Sequence, residues 1–181
     1  MIPKPLPLSV ADLSKLTWPE IAYGYSQRFI GWKTPVGIAI QRVEQGSSDE
    51  TEVELAAIGK DEAGGVGEVV SRLAAKAPTE SDTDTKKNWL FVILNWLYKN
   101  RDSFQDPLQE VEEIYADFGY PEEIEQLVRF LPPKDGYRPD LHSREDNLRR
   151  LYALWAEYLE TARMATNSKT RRSLSRSRSE T

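Results

Sequence analysis

With 181 residues, 39% of them hydrophobic and 29% charged, the chain is sized for one ordinary domain with a core of its own. No apolar run reaches the ~18 residues of a membrane span, and the absence of cysteine removes disulfides, thiol catalysis and cysteine metal sites. The formal charge of -5 is unevenly shared, with +4 on residues 165–181 and -9 on residues 1–164, so the body repels phosphate backbones and favours basic partners.

The first residues, MIPKPLPLSV, lack the charged, apolar and small-residue segments of a signal peptide, and the cytoplasm is the expected location. Prolines at 3, 5 and 7 predict an extended arm over residues 1–13, followed by one helical domain over 14–164 and a tail over 165–181. Thr17-Trp18-Pro19-Glu20 reads as a capping box that opens a helix with Ile21, Ala22, Tyr25 and Phe29 on one face, ending at Gly31. Thr34-Pro35 repeats a cap-then-proline start for a shorter helix whose Val36, Ile40 and Val43 face inward, ending near Gly46. Weaker helices are expected over Glu52–Ile58 and Ala63–Lys76, the second with Val66, Val69, Val70 and Leu73 as its stripe. Gly64, Gly65 and Gly67 superficially suit a phosphate loop. No GK[ST] follows them and no strand precedes, so the expectation is a loosely wound first turn.

Residues 77–85 form a polar loop, and Lys86–Asp102, KKNWLFVILNWLYKNRD, is the most hydrophobic segment. WLFVIL alone would suit a buried strand, but the pattern continues through Trp96, Leu97 and Tyr98 to helical length, with Asp84 or Thr85 as the cap. Being apolar nearly all round, it should be the central helix. Asp106 as N-cap and Pro107 at the first helical position start the next helix, with Leu108, Val111, Ile114, Tyr115 and Phe118 as its stripe and Gly119 as its stop. A second helix from Pro121 would bury Ile124, Leu127, Val128 and Leu131 before Pro132-Pro133 ends it, making an αα-hairpin. Ser143, with Asp146 three positions on, caps a long final helix carrying Leu148, Leu151, Tyr152, Trp155, Leu159 and Ala162. The fold class is thus all-α, a single-domain bundle of about seven to eight helices with a disordered basic C-terminal tail.

Chemistry-bearing groups are sparse. The one histidine, His142, stands in a loop with no HxxxH or HxxE partner, so no catalytic residue, metal ligand or cofactor site is assigned. Carboxylates crowd the hairpin, and an acidic hydrolytic or metal site is the alternative reading as an enzyme. The preferred reading is partner binding, because Tyr115, Phe118 and Tyr120 cannot all turn inward with Ile114 and Val111. Aromatic anchors ringed by charge make interface hot spots, and the expected contact face is Glu113, Tyr115, Asp117, Phe118, Tyr120 and Glu122. The tail RRSLSRSRSET could touch nucleic acid weakly by charge alone, a third reading.

Taken together, Trp89, Trp96-Leu97-Tyr98, Asn100-Arg101, Asp106-Pro107-Leu108, Tyr115-Ala116-Asp117-Phe118, Tyr120-Pro121-Glu122, Ile124 and Arg129-Phe130-Leu131-Pro132 resemble the signature of bacterial domain-of-unknown-function family 2247. Trp18, Glu20, Ile21, Gly24 and EVELAAIGKDE at Glu52–Glu62 extend the likeness over about residues 14–133, leaving the last helix and tail outside. Gly119 departs from the acidic residue expected there. The resemblance implies a small helical bacterial cytoplasmic protein, with some such proteins similar to immunity partners of secreted toxins, and it carries over no catalytic residues. The expected partner is therefore a protein, a basic toxin domain, and neither a membrane nor a cofactor.

Overall fold

A computed structural model describes residues 2–78 and 81–177, with side chains through Met164. Eight α-helices are described: α1 (Val10–Leu13), α2 (Trp18–Ser26), α3 (Lys33–Glu44), α4 (Glu50–Ala57), α5 (Val66–Lys76), α6 (Asp82–Lys99), α7 (Pro107–Asp117) and α8 (Arg144–Ser177). Four 3₁₀ segments join them, and no strand occurs among the described residues, so the protein is all-α. Among those residues no helix is long and apolar enough to cross a membrane. The disordered tail expected over residues 165–181 begins where the described side chains end, and residues 178–181 lie outside the described residues. The chain divides into two compact units, Met1–Trp89 and Leu90–Thr181.

In the first unit, the proline-rich arm is extended only to Ser9. Ser9 and Asp12 then form a capping box for α1, which buries Leu13, so the arm expected over 1–13 becomes helical for its last four residues. Leu6 is held by its amide donating to the Phe29 carbonyl at 2.8 Å. The Thr17 box forms as expected, with the Thr17 amide donating to Glu20 Oε2 at 2.7 Å. The helix stops five residues before Gly31, however. Arg28 takes φ +59°, and the Phe29 amide reaches the Gly24 carbonyl at 2.8 Å while the Arg28 amide reaches Tyr25 at 3.1 Å. This is a Schellman ending, with arginine where glycine is usual.

Thr34 does not cap α3, because the helix already begins at Lys33, with Trp32 in the N-cap position and no side-chain capping bond. The buried arc of α3 is also turned from the expected one. Pro35, Val36, Ile38 and Ala39 are buried, while Ile40 is 41% exposed, because both α1 and α4 pack on α3 and set which arc is covered. Asp49 caps α4 by accepting from Thr51 and Glu52 amides at 2.8 and 3.3 Å. The glycine-bearing turn is a 3₁₀ segment, Lys60–Gly65, and α5 then buries Val66, Val69, Val70 and Leu73 as its spacing predicts.

Two buried polar networks fix this unit. Glu52 accepts from the Trp18 indole at 2.6 Å and from Arg42 at 3.3 Å, while Arg42 also donates to the Leu16 carbonyl at 2.7 Å and lies over the Trp18 ring. Glu20 accepts from Asn88, and its carbonyl accepts from the Trp89 indole at 2.7 Å. Trp89 is wholly buried, packed so closely on Gly24 that a Cβ there would lie 1.9 Å from the ring.

The WLFVIL run is helical within α6, and its start is set by Ser81, whose hydroxyl accepts from the Asp84 amide at 3.2 Å, rather than by Asp84 or Thr85. From Leu90 onward α6 belongs to the second unit, where Leu90, Ile93, Leu94 and Leu97 are buried. There Trp155 of α8 is wholly buried, with Tyr98 edge-on at 5.1 Å and Tyr152 stacked at 6.2 Å.

The hairpin differs from expectation in its second arm. The segment Glu122–Leu127 is a 3₁₀ helix, not an α-helix. The backbone is left-handed at Gly119 and Tyr120 and already extended at Val128, which leaves six helical residues between them. With three residues per turn, the 3₁₀ form places Ile124 and Leu127 on one row, and both are buried. Leu131 is only half-buried.

Candidate functional site

The Asp106–Pro133 segment is built as a clamp. Asp106 caps α7 by accepting from the Gln109 amide at 3.1 Å, and the helix buries Leu108, Val111, Ile114 and Tyr115. Its end is a second Schellman motif: Gly119 has φ +75°, its amide donates to Ala116 at 3.0 Å, and the Tyr120 amide donates to Tyr115 at 2.8 Å. Tyr120 then repeats the left-handed conformation at φ +63°. A bulky non-glycine residue in that region is an outlier that costs energy.

Arg129 ties the returning chain to α7. Its guanidinium makes a fork on Glu112, Nε to Oε1 at 2.8 Å and Nη2 to Oε2 at 3.0 Å, and Nη1 donates to Asp106 at 2.8 Å. Glu112 and Asp106 hold the Arg129 charge firmly in place. Burial opposes the charge on Asp106, but the Arg129 and Gln109 hydrogen bonds outweigh it and keep the carboxyl below its ordinary range. In the sequence Arg129 stands only as part of a signature. No local pattern announces a partner 17 or 23 positions away.

The six residues expected at a contact face separate by burial. Glu113, Asp117, Tyr120 and Glu122 are exposed, Phe118 is half-buried, and Tyr115 is buried. Tyr120 is 62% exposed, and its ring sits edge-on to Tyr115 at 5.3 Å. Burial, with Glu125 beside it, pushes the Tyr115 phenol up. Tyr115 therefore packs against the Tyr120 ring from the buried side. From Asp106 to Glu125 the chain carries eight carboxylates and no lysine or arginine.

Beside this corner the second unit has a groove of about 910 Å³ between Glu122–Pro139 and the first turns of α8. Val128, Leu131, Pro132, Leu148 and Leu151 supply its apolar lining. Lys134 is paired with Glu125, and Arg150 with Asp135 at 2.6 Å. Arg150 also lies over the Tyr137 ring at 4.3 Å, and the Tyr137 hydroxyl donates to Asn147 at 2.7 Å. His142 is stacked on Tyr137 at 4.5 Å, which gives the lone histidine a packing role in this loop. Among the described residues no three His, Asp or Glu side chains are grouped to hold a metal ion.

The fold and the site define an all-α protein with an exposed tyrosine corner beside a groove lined by both aliphatic and charged side chains. The chain belongs to the family described as "Uncharacterized protein conserved in bacteria (DUF2247)", which matches residues 8–163. The match extends past Pro133 through most of the described side chains of α8, beyond the 14–133 stretch legible as a resemblance. No curated protein and no solved structure matches the chain significantly.

Proposed function

We propose that this protein is a protein-binding module of the immunity type, which neutralises a cognate bacterial toxin by covering a basic surface of it with the corner around Tyr120. The observation that carries the reading is Tyr120 itself. A tyrosine in left-handed backbone, 62% exposed and propped on Tyr115, sits where a glycine would be less strained. Strain of this kind, about 1–3 kcal/mol, persists where the surroundings enforce it and concentrates at functional positions. Rigid exposed aromatics are common anchors of interfaces.

The surrounding charge supports the same reading. Arg129 and Lys134 pair with three of the eight carboxylates from Asp106 to Glu125. The exposed Glu113, Asp117 and Glu122 nevertheless keep the corner acidic, which accelerates encounter with a basic partner while the anchor slows its release. The test is co-expression with a toxin candidate encoded beside this gene. Rescue of growth and a complex that survives purification are expected, and both are lost with Tyr120→Gly. If the toxin stays lethal and no complex forms with the wild-type protein, the reading fails.

A further inference from the structure

Building on that protein-binding reading, we infer that the groove beside the Tyr120 corner receives one amphipathic segment of the partner, with aliphatic side chains along the groove and a lysine- or arginine-bearing flank against the Glu122–Leu127 wall. The volume of about 910 Å³ and the leucine, valine and proline lining suit a row of aliphatic side chains. The charge is asymmetric. One wall presents Glu122, Glu123 and Glu125, and the two cations on that side are already engaged, Lys134 by Glu125 and Arg129 by Glu112 and Asp106.

The opposite lip carries Arg144, while Arg150 there is taken up by Asp135 and the Tyr137 ring. A basic flank placed on the α8 side would meet Arg144, so like-charge repulsion sets the orientation as well as the sign. Glu122 belongs both to the groove wall and to the corner, which makes the two surfaces continuous. The groove therefore extends the contact from a single aromatic anchor to an apolar cleft with a chosen polarity.

The experiment uses the full chain and a synthetic 18-residue probe with leucines at helical i, i+3, i+4, i+7 spacing and lysines along one flank. Fluorescence anisotropy compares it with the same peptide carrying glutamate for lysine and with a scrambled peptide of equal composition. The lysine peptide should bind, and each of the other two at least about tenfold more weakly, ~1.4 kcal/mol. Leu131→Arg should block binding, and the double variant Glu122→Lys/Glu123→Lys should weaken it by about tenfold, with circular dichroism unchanged. If Leu131→Arg unfolds, the charge-reversed variant decides alone.

Equal binding of all three peptides, or an unaltered affinity in the charge-reversed protein, overturns the inference. So does concentration-dependent dimerisation by light scattering that disappears in that variant, since a second copy would then be the occupant. A toxin complex that depends on Tyr120 while the lysine peptide fails to bind removes the groove and leaves the protein-binding reading standing. Peptide binding without any toxin complex does the reverse.

Discussion

Tyr120 and Gly24 mark opposite uses of backbone geometry. At Tyr120 a bulky side chain occupies φ +63° on the surface. Replacing it with glycine relieves that strain while losing the ring contact to Tyr115, a contact of about 0.5–1.5 kcal/mol. Tyr120→Gly should therefore stay within about 1 kcal/mol of the parent in urea denaturation, and yet lose its partner. A large loss of stability would make Tyr120 a packing residue instead. At Gly24 the missing side chain is what matters, since a Cβ would stand 1.9 Å from the ring of the wholly buried Trp89. Gly24→Ala should cost about 1–3 kcal/mol or more by overpacking. Gly64, whose added Cβ would meet nothing within 4 Å, is the control. Gly64→Ala should be neutral or stabilising by up to about 1 kcal/mol, a contrast that thermal unfolding of the two variants measures.

At the scale of elements, the corner owes its shape to Arg129 more than to the helical character of its second arm. A six-residue 3₁₀ segment has few hydrogen bonds of its own, so its position depends on Ile124 and Leu127 in the core and on the fork from Arg129 to Glu112 and Asp106. Arg129 and Asp106 are partly solvated, at 34% and 41% exposure, which discounts the pairs. Arg129→Ala should cost about 1–2 kcal/mol. Arg129→Lys should recover little of it, because a lysine cannot form the planar fork. Arg149→Ala, in an exposed i,i+3 pair, should change stability by less than about 0.5 kcal/mol in the same urea titrations. Equal effects at 129 and 149 would show that the clamp contributes nothing.

For the whole molecule, the charge pattern predicts how stability depends on pH. Asp49, Asp135, Asp140 and Asp146 are held below their ordinary range by Lys76, Arg150, Arg138 and Ser143 respectively. Asp106 is held low against its burial by Arg129, and Glu52 against its burial by Ser47, Trp18 and Arg42. A depressed carboxyl favours the folded state at pH above its unfolded value, and that contribution disappears as pH falls through the folded one. At the alkaline end, Lys86 and Lys134 are raised by Asp82 and Glu125, and burial raises the Tyr158 phenol. Their contribution is complete below the unfolded values and lost as pH rises through the folded ones. Thermal midpoints should be flat from about pH 5 to 9 and fall below about pH 4 and above about pH 10. A midpoint that rises on acidification would contradict the carboxylate assignments.

Much of this was legible in the sequence, because helix starts and stops are local. Thr17, Asp106 and Ser143 cap where their spacing to the next polar partner says they should, and the stripes of α5 and α7 follow the 3.6-residue period. The candidate corner was equally local, since its aromatic and acidic residues lie within ten consecutive positions, Glu113 to Glu122. What only the tertiary structure decided depends on contacts between distant segments. Packing by α1 and α4 chose Ile38 and Ala39 over Ile40 for burial in α3, and the core row of Ile124 and Leu127 suits a 3₁₀ arm where an α-helix was expected. It also buried Tyr115 beneath Tyr120, joined Arg129 to two carboxylates far along the chain, and opened a groove beside them. Capping depends on neighbours three residues away, whereas burial depends on which surfaces meet, and no local spacing contains that information.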